Sequence, residues 1–399
     1  MSTVSNLSNS VRARYLDAYI EGVKNRQLYE LMCMPIPMDK GTMQHASSVS
    51  TPYLSDMSIS AQTISESVDI TPQNLRDATA SITPTSRGDA IQDSEKLLLE
   101  AYTDYGASRF KALGQNMVAT LESLIIDSAM AGSLFSRAEA RSTMDSADAA
   151  SRLLDTDFFE AANVLKEMGC PAIQQDGINA PNGYIAIMHP DAYYDLLSAG
   201  LIDDIVANSQ PQIWLNGALG SLNGFQIISS PFAKVFMGAG EDHATNSAYV
   251  LTTAASALDK TLAITTATNV ASGRYLTVGT EETGTTFYPM NERVKHISGT
   301  TTSVIVGGGA NGGLKYDHAA GTAVRNADSV YPVLFGGPNS IAKIYASEVG
   351  EFGEIVGPKR SGLADQFISL AWKWYGAYAI MNQNWLYRKE VSSSLDNVA

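Results

Sequence analysis

The segment from Gly41 to Thr85 limits what this chain can fold into, because it is rich in serine and threonine and its hydrophobic residues are isolated. Prolines at positions 52, 72 and 84 interrupt it further. Such a segment can form extended strands, but it buries too little apolar surface to offset the entropy of ordering its own backbone. We therefore expect another part of the protein, or a neighbouring molecule, to cover it.

The sequence that follows predicts a long amphipathic helix over residues 94–131. Its apolar residues recur at steps of three and four, and Gly132 stands where helices commonly end. An unbroken helix from Leu98 to Ala131 would be roughly 50 Å long, which suits a strut better than a pocket wall. Gly106 and Gly114 are the positions at which it could weaken.

Residues 155–250 have the pattern of a mixed α/β region. Apolar periodicity predicts helices near Asp157–Met168 and Asp191–Ala199 and strands at Tyr184–Met188 and Gly224–Ser229. The Asn-Gly pair that precedes the last strand favours a tight turn.

Residues 255–330 differ from their surroundings in being dominated by threonine and glycine with period-two alternation. This pattern predicts a β-rich insertion of short antiparallel strands. Residues 331–399 then return to strands and carry an aromatic run around Trp372, Trp374 and Trp385. The run could be a stacking platform for bases, but few basic residues accompany it, so a buried strand or a subunit contact is favoured.

Charge is distributed unevenly along the chain, whose formal net charge is −14. Residues 132–254 contain 14 acidic and 5 basic side chains, whereas residues 1–45 contain 4 acidic and 5 basic ones. This charge argues against binding of nucleic acid over the whole surface, because phosphate binding needs clustered lysine and arginine. We interpret the acidic region as a solvated face. The acid pair Glu281 and Glu282, which follows that region, is likewise interpreted as solvated charge.

Sequence features of membrane, metal and cofactor sites are missing. The first ten residues are polar and no apolar run could cross a bilayer, so we expect neither a secretory leader nor a membrane span. Cys33 and Cys170 have no second cysteine or histidine at ligand spacing, which predicts no metal site and no disulfide. Gly307, Gly309 and Gly312 match dinucleotide spacing, but no helical pattern follows, so we expect a turn and no cofactor.

The candidate for catalysis is the pair His189 and Asp191, which lies between a predicted strand and a predicted helix. It could act as the acid/base pair of a hydrolase with the β-rich insertion as a binding module. No serine or cysteine stands at a recognisable spacing, and no nucleophile elbow or phosphate loop is found. We therefore favour a capping role for Asp191 and predict no catalytic residue and no enzyme activity.

Four strings carry a resemblance to a known family. They are YIAIMHPDAYYDLL at 184–197, LNGALGSLNGFQIISSP at 215–231, YPVLFGGPNSIAKI at 331–344 and DQFISLAWKWYGAYAIMNQNWLYR at 365–388. In this order the strings resemble the major capsid proteins of tailed bacteriophages with the Hong Kong 97-type fold, particularly the branch typified by the phage called N-four. The likeness covers most of the chain outside 255–330.

The resemblance implies an α+β fold with five parts. They are an N-terminal arm at 1–45, an extended loop (E-loop) at 46–93, a peripheral domain of 94–154 and 346–399 with its spine helix at 94–131, an axial α/β domain of 155–254 and 331–345, and an inserted β-rich domain at 255–330. An extended loop without its own core fits this plan, since a neighbouring subunit would cover it.

The implied function is that of a structural protein of the virion capsid. Copies of the chain would assemble in the bacterial host cytoplasm into hexamers and pentamers of an icosahedral shell around double-stranded DNA, which they would contact non-specifically. Expected partners are a scaffold protein, a portal protein and a decoration protein. The scaffold is expected to be a separate protein because the N-terminal arm is short. An encapsulin-like nanocompartment shell is the alternative within the same structural class.

Two sets of residues follow from this plan. The candidates for subunit contacts are hydrophobic residues of the loop and C-terminal tryptophans, namely Ile59, Ile64, Val68, Ile70, Ile82, Trp372, Trp374 and Trp385. The candidates for inward, DNA-facing charges are basic residues of the arm, namely Arg12, Arg14, Lys24 and Arg26.

Overall fold

The structure is a computed structural model, and it describes the larger part of the chain. The described residues are 29–38, 48–54, 57, 59–60, 66, 72, 74, 77–100, 105–172, 183–198, 221–243, 249–265, 270, 273–282, 288, 290–300, 302–307, 313–351, 353–362 and 366–397.

Strands outnumber helices in these residues. The α-helices are α1 (Glu95–Glu100), α2 (Tyr105–Met130), α3 (Asp155–Glu167) and α4 (Pro190–Leu196). The strands are β1 (Cys33–Met38), β2 (Val49–Leu54), β3 (Asp77–Ile82), β4 (Thr85–Ser94), β5 (Phe135–Arg137), β6 (Tyr184–Met188), β7 (Ser221–Leu222), β8 (Phe225–Ser229), β9 (Tyr249–Val250), β10 (Thr261–Ala263), β11 (Tyr275–Val278), β12 (Glu292–Gly299), β13 (Ser303–Gly307), β14 (Ala323–Arg325), β15 (Tyr331–Gly336), β16 (Ile341–Ala346), β17 (Glu354–Ser361), β18 (Phe367–Ile380) and β19 (Leu386–Val391).

The long helix expected over 94–131 is present as α2, whose 26 residues give a length of about 39 Å. Residue 94 is the last of β4, helix α1 begins one residue later at Glu95, and residues 101–104 between α1 and α2 lie outside the described part. Gly106 and Gly114 lie inside α2 and do not end it. The helix buries residues at steps of three and four, which are Phe110, Leu113, Met117, Leu121 and Ile125. None of the described helices is both long and apolar enough to cross a membrane.

The chain divides into two compact units. The described part of the first unit comes from Pro35–Met117 and Ala342–Met381, and that of the second from Arg26–Met34, Val118–Ile341 and Asn382–Ala399. The first unit contains a five-stranded sheet in the order β1-β16-β18-β17, with β4 also paired to β18. Strands β2 and β3 form a separate antiparallel pair from Val49↔Ile82 to Leu54↔Asp77.

Strand β4 pairs with β18 over ten residues, from Ser94↔Phe367 to Thr85↔Gly376. Residues 85–93, which the sequence placed in the E-loop, are therefore a strand of the five-stranded sheet. Backbone hydrogen bonds to β18 give this polar segment an ordered partner that its own side chains could not provide.

The second unit contains a six-stranded sheet in the order β5-β19-β15-β6-β8-β7, against which α3 and α4 pack. Its core is rich in aromatic rings, and Phe335 lies 5.2 Å from Phe158 and 5.0 Å from Phe225, both in edge-on geometry. All residues of β6 and β15 are buried, which agrees with their continuous apolar sequences. Asn223 and Gly224 both have positive φ and join β7 to β8 as the expected two-residue turn.

A second six-stranded sheet, hereafter the insertion sheet, has the order β10-β13-β12-β11-β14-β9. Its described pairs are antiparallel, as the period-two pattern predicted. It buries a core of its own, which includes Leu262, Leu276 and Val306. The sheet begins with β9, before residue 255, and it belongs to the same unit as the α/β region.

The structure divides the chain differently from the expected domains. Residues 118–154 and 382–399 were assigned to the peripheral domain, but both lie in the second unit. The reason is strand β19, which pairs with β5 on one side and with β15 on the other and so joins both segments to the α/β sheet. Residues 382–399 directly follow β18 in the sequence, so their position in the other unit could not be expected.

Candidate functional site

The loop residues expected at subunit contacts have different environments. Ile59 is 97% exposed, and its contact with another subunit stays a prediction. Ile82 is instead buried within its own chain, where it packs with Met38, Ala342 and Ile344. The other three, Ile64, Val68 and Ile70, lie outside the described residues, as do the basic candidates Arg12, Arg14, Lys24 and Arg26.

The tryptophans expected at subunit contacts are placed mainly by contacts within the chain. Trp372 and Trp374 are fully buried. The indole of Trp372 donates to Asn116 Oδ1 at 2.9 Å, and that of Trp374 donates to the carbonyl of Glu351 at 3.2 Å. Trp385 is half-buried against the core of the α/β sheet. Direct contact of these rings with another subunit stays a prediction, while their role in supporting their own unit is evident.

The pair His189 and Asp191 forms a helix cap. His189, not Asp191 as expected, is the N-cap of α4, and its Nδ1 accepts the backbone N–H of Asp191 at 3.2 Å. Burial lowers the pKa of His189 to about 4, with Asp191 opposing this shift and Arg293 adding to it. The imidazole is therefore neutral at pH 7, and the nitrogen nearer Asp191 is already used as an acceptor.

Asp191 belongs to a buried cluster that its sequence neighbours do not reveal. Arg293 from β12 donates to Asp191 Oδ2 at 2.7 Å and to Asp396 Oδ1. The hydroxyl of Tyr331 donates to the same two carboxylates, at 3.2 and 2.8 Å. The guanidinium also lies 3.8 Å from the centre of the Tyr275 ring. Asp396 is completely buried, and burial raises its pKa to about 6 although Arg293 and Ser329 N–H oppose the shift.

These contacts argue against the hydrolase arrangement. Asp191 Oδ2 lies 3.6 Å from His189 Nδ1, too far for the hydrogen bond of a catalytic triad, and it accepts instead from Arg293 and Tyr331. No serine or cysteine among the described residues is hydrogen bonded to the imidazole. Gly309 and Gly312 of the glycine-rich run lie outside the described part of the chain.

Asp145, His243 and Asp328 place ligand-type atoms within 4.8 Å of one another. The carboxylate of Asp328 is already occupied, by His243 Nε2 at 3.0 Å and by the backbone N–H of Ser146 at 2.7 Å. Arg274 lies 3.7 Å from its other oxygen and would repel a cation. Burial alone would raise the pKa of Asp328, but its hydrogen bonds with His243 and Ser146 lower it. Asp145, His243 and Asp328 are therefore best explained as part of an ion-pair cluster.

A cleft of about 440 Å³ opens in the second unit. Lys234 and Glu282 form a buried ion pair of 2.7 Å on its wall, which corrects the expectation that Glu282 is solvated. Asp127 of α2 lies beside this pair, and one of its carboxylate oxygens is buried without a hydrogen bond among the described residues. Burial raises the pKa of Asp127 to about 6, with Lys234 opposing the shift and Glu282 adding to it.

Glu390 of β19 is the centre of a second buried charge cluster, and its carboxylate has no solvent exposure. Arg137 and Arg141 donate to it at 2.7 and 2.6 Å, and Arg388 Nε lies 3.0 Å away. Burial alone would raise the pKa of Glu390, but the hydrogen bonds from the arginines lower it below its usual value. The sequence contained a signal for this cluster, since Arg-Lys-Glu at 388–390 interrupts a strand that is otherwise apolar.

Comparison with solved structures identifies the architecture. The capsid of Ralstonia phage GP4 matches 93% of this chain and 92% of its own, with a TM-score of 0.55 and 9% identity. The capsid of the cyanophage P-SCSP1u matches 91% of this chain and 87% of its own, with a TM-score of 0.52 and 10% identity. The cyanophage Pam1 capsid matches 90% and 89%, with a TM-score of 0.51 and 10% identity.

The chain has a phage capsid fold. The likeness extends along nearly the whole of each capsid chain, so the mixed α/β architecture expected from the resemblance is confirmed. No family model matches the sequence, and no curated protein matches it.

Proposed function

We propose that this chain is the major capsid protein of a tailed bacteriophage, a structural subunit that assembles into the shell of the virion. The match in fold to the capsid of Ralstonia phage GP4, over 93% of this chain, is the observation that carries the proposal. At 9% identity the evidence is the fold itself and not shared residues. The extended β2–β3 pair supports the proposal, since Ile59 between these strands is almost completely exposed.

The finer plan is that of the Hong Kong 97-type fold. In it, α2 is the spine helix, the β2–β3 pair belongs to the E-loop and the five-stranded sheet belongs to the peripheral domain. The α/β sheet with α3 and α4 is the axial domain, and the insertion sheet is an addition to it. Membership of the N-four-like branch stays a prediction.

Assembly partners follow from the same proposal. Copies of the chain form hexamers and pentamers of an icosahedral shell around double-stranded DNA, with a separate scaffold, a portal and a decoration protein as further partners. Shell formation takes place in the cytoplasm of the bacterial host. Contacts of this permanent kind usually bury more than about 2,000 Å².

The test is assembly in bacteria from the chain alone and with a scaffold protein encoded beside it. Particles are separated on a sucrose gradient and imaged by electron microscopy. Closed shells, or hexamers and pentamers in isolation, are the expected result. Small compact oligomers under both conditions would contradict the proposal. Shells that contain an enzyme cargo in place of DNA would indicate a nanocompartment.

A further inference from the structure

Strand β4 forms an open edge of the five-stranded sheet. Among the described strands it pairs with β18 alone, and its register from Ser94↔Phe367 to Thr85↔Gly376 contains no bulge. Residues 85–90 are all exposed. The second backbone edge of β4 therefore has no partner strand in the described structure, and its N–H and C=O groups can pair with a further strand.

The other outer strands of this sheet are blocked against such pairing. Strand β17 has a register shift next to Gly357, whose φ is 114°, and Pro358 removes one N–H donor. Strand β1 contains Pro35 and Pro37. Prolines and bulges prevent pairing at exposed sheet edges. Because β4 contains neither, it is the outer strand of this sheet best suited to accept a partner.

Two exposed charges of opposite sign lie on one face of β4. Side chains alternate along a strand, so Arg87 and Asp89, on either side of Gly88, point to the same face. Within the described part of the chain neither side chain has an ion pair, and Asp89 Oδ1 accepts the N–H of Ala90 at 2.8 Å. The edge thus presents one cation and one anion that could each bind an opposite charge on an added strand.

A second β4 strand in antiparallel orientation supplies those charges. In a two-fold pair directly opposed residues share a face, so the axis passes through one residue of the strand. A pair centred on Gly88 places Arg87 opposite Asp89 of the second copy, and the reverse. A pair centred on Arg87 or on Asp89 would oppose identical charges. A pair centred on Ala90 would oppose Arg87 to Asp93, which is already bound within its own chain. The charges therefore select the register centred on Gly88.

We propose that two copies of this chain pair through β4 across a two-fold axis at Gly88, which joins their two sheets into one. The choice of a second copy as the occupant rests on the proposed function, since a shell brings many copies of one strand together. Backbone hydrogen bonds over residues 85–91 hold the two strands, and the two Arg87–Asp89 pairs fix their register. A strand pair of this length is too small to hold a dimer alone, so it acts beside other contacts in the shell.

Disulfide trapping tests the register. Ser86 and Ala90 of the second copy oppose each other in this pair, so both are changed to cysteine and the assembled particles are oxidised. A denaturing gel without reductant should show a covalent dimer. Either single variant should stay monomeric, because its two cysteines would lie roughly 13 Å apart along the strands, beyond the about 7 Å that a disulfide spans. The unmodified protein, which retains Cys33 and Cys170, gives the background.

Absence of the dimer in shells of the double variant would overturn the proposal. A dimer of equal yield from Ser86→Cys or Ala90→Cys alone would overturn it too, because that result requires another register.

Exchange of charge is a second test. Arg87→Glu opposes like charges and should reduce the yield of shells on a sucrose gradient several-fold. The further change Asp89→Arg restores opposite charges in the same register and should restore the yield. Arg360→Glu is the control, since it reverses a 56% exposed arginine on the blocked strand β17, and it should leave the yield unchanged. Failure of Asp89→Arg to restore the yield, or an equal loss in the control, would contradict the β4 pair.

The same experiments distinguish this contact from the capsid function. Normal shells without the disulfide dimer would contradict the β4 pair alone. Failure of the unmodified chain to form shells would contradict the capsid function, and oxidation of the concentrated double variant in solution then decides the pairing. A dimer from the double variant only would support pairing through β4, whereas monomers would overturn it.

Discussion

Arg293 of β12 and Asp191 at the start of α4 form an ion pair of 2.7 Å, although 102 residues separate them in the sequence. The same guanidinium donates to Asp396 in the C-terminal turn. One side chain therefore joins the insertion sheet to two other segments of its unit. Burial alone would lower the pKa of Arg293, but Asp396 and its other partners raise it above the usual arginine range.

Replacement of Arg293 by methionine should destabilise the unassembled subunit by about 3–5 kcal/mol, because it leaves the carboxylates of Asp191 and Asp396 without their cation. Urea unfolding at pH 7 measures the change. Arg360→Met removes an exposed arginine that pairs with Glu95 at 3.2 Å and should cost less than about 1 kcal/mol. A loss below that level for Arg293→Met would show that the cluster contributes little to stability.

Glu390→Gln should change how stability depends on pH. The pKa of Glu390 is lower in the folded state than its unfolded value of about 4.3. Its ionised form therefore contributes stability at pH values above the unfolded pKa. This contribution is lost as the pH falls through the folded-state pKa. We expect a deficit of about 3 kcal/mol at pH 7 that shrinks in acid. Unfolding curves at pH 7 and pH 3.5 measure it, and a deficit that is the same at both would contradict the assignment.

Asp127→Asn should raise the free energy of unfolding, whereas Glu390→Gln lowers it. Burial raises the pKa of Asp127 to about 6, so the ionised carboxyl lowers the free energy of unfolding above that pH and has no such effect below about pH 4. The amide should therefore stabilise the subunit by ~1–2 kcal/mol at pH 8 and leave it unchanged at pH 4. Glu167→Gln, at an exposed position of α3, is the control that should show neither effect.

Trp372→Phe tests whether this ring supports its own subunit. The change leaves Asn116 Oδ1 without its indole donor and opens a small void, which should cost about 2 kcal/mol in the unassembled protein. Trp385→Phe, at a half-buried position, should cost less. If Trp372→Phe impaired only assembly and left the isolated subunit as stable as before, the ring would be a subunit contact after all.

Ile59→Ser should separate assembly from folding. A side chain that is 97% exposed contributes little to the subunit, so stability should change by less than about 0.5 kcal/mol. The yield of shells on a sucrose gradient should fall, because a neighbouring subunit would lose the apolar surface that it covers. Leu258→Ser alters another exposed residue, in the insertion segment, and should leave the yield unchanged. Equal yields for all three proteins would remove Ile59 from the interface.

Elements with a strong local pattern could be predicted from the sequence. The expected strand Tyr184–Met188 agrees with β6 at both ends, and the Asn-Gly pair forms the expected turn. Both depend on neighbours in sequence, namely a continuous apolar run and a backbone that favours positive φ. The capsid fold was also predicted correctly. That prediction came from four sequence strings in a particular order, and no single helix or strand specifies it.

The pairing within charged clusters could not be predicted, because most of their members come from distant segments. Glu282 belongs to an acidic pair that suggests solvated charge, but it pairs with Lys234, 48 residues earlier, in a buried ion pair. The role of His189 as the cap of α4 was missed for a similar reason. Pro190 fixes the first turn of α4, and the imidazole, not the carboxylate, is then within reach of the Asp191 N–H.

Strand β19 lies between β5 and β15, which are separated by almost two hundred residues of chain. A ribosome that adds roughly 5–20 residues per second would release β5, β6, β8 and β15 well before β19 emerges. Until then the edges of β5 and β15 that β19 later occupies remain open, and Arg137 and Arg141 lack the buried carboxylate of Glu390. A growing chain would therefore be unable to present finished assembly surfaces, so shell formation would await the completed polypeptide.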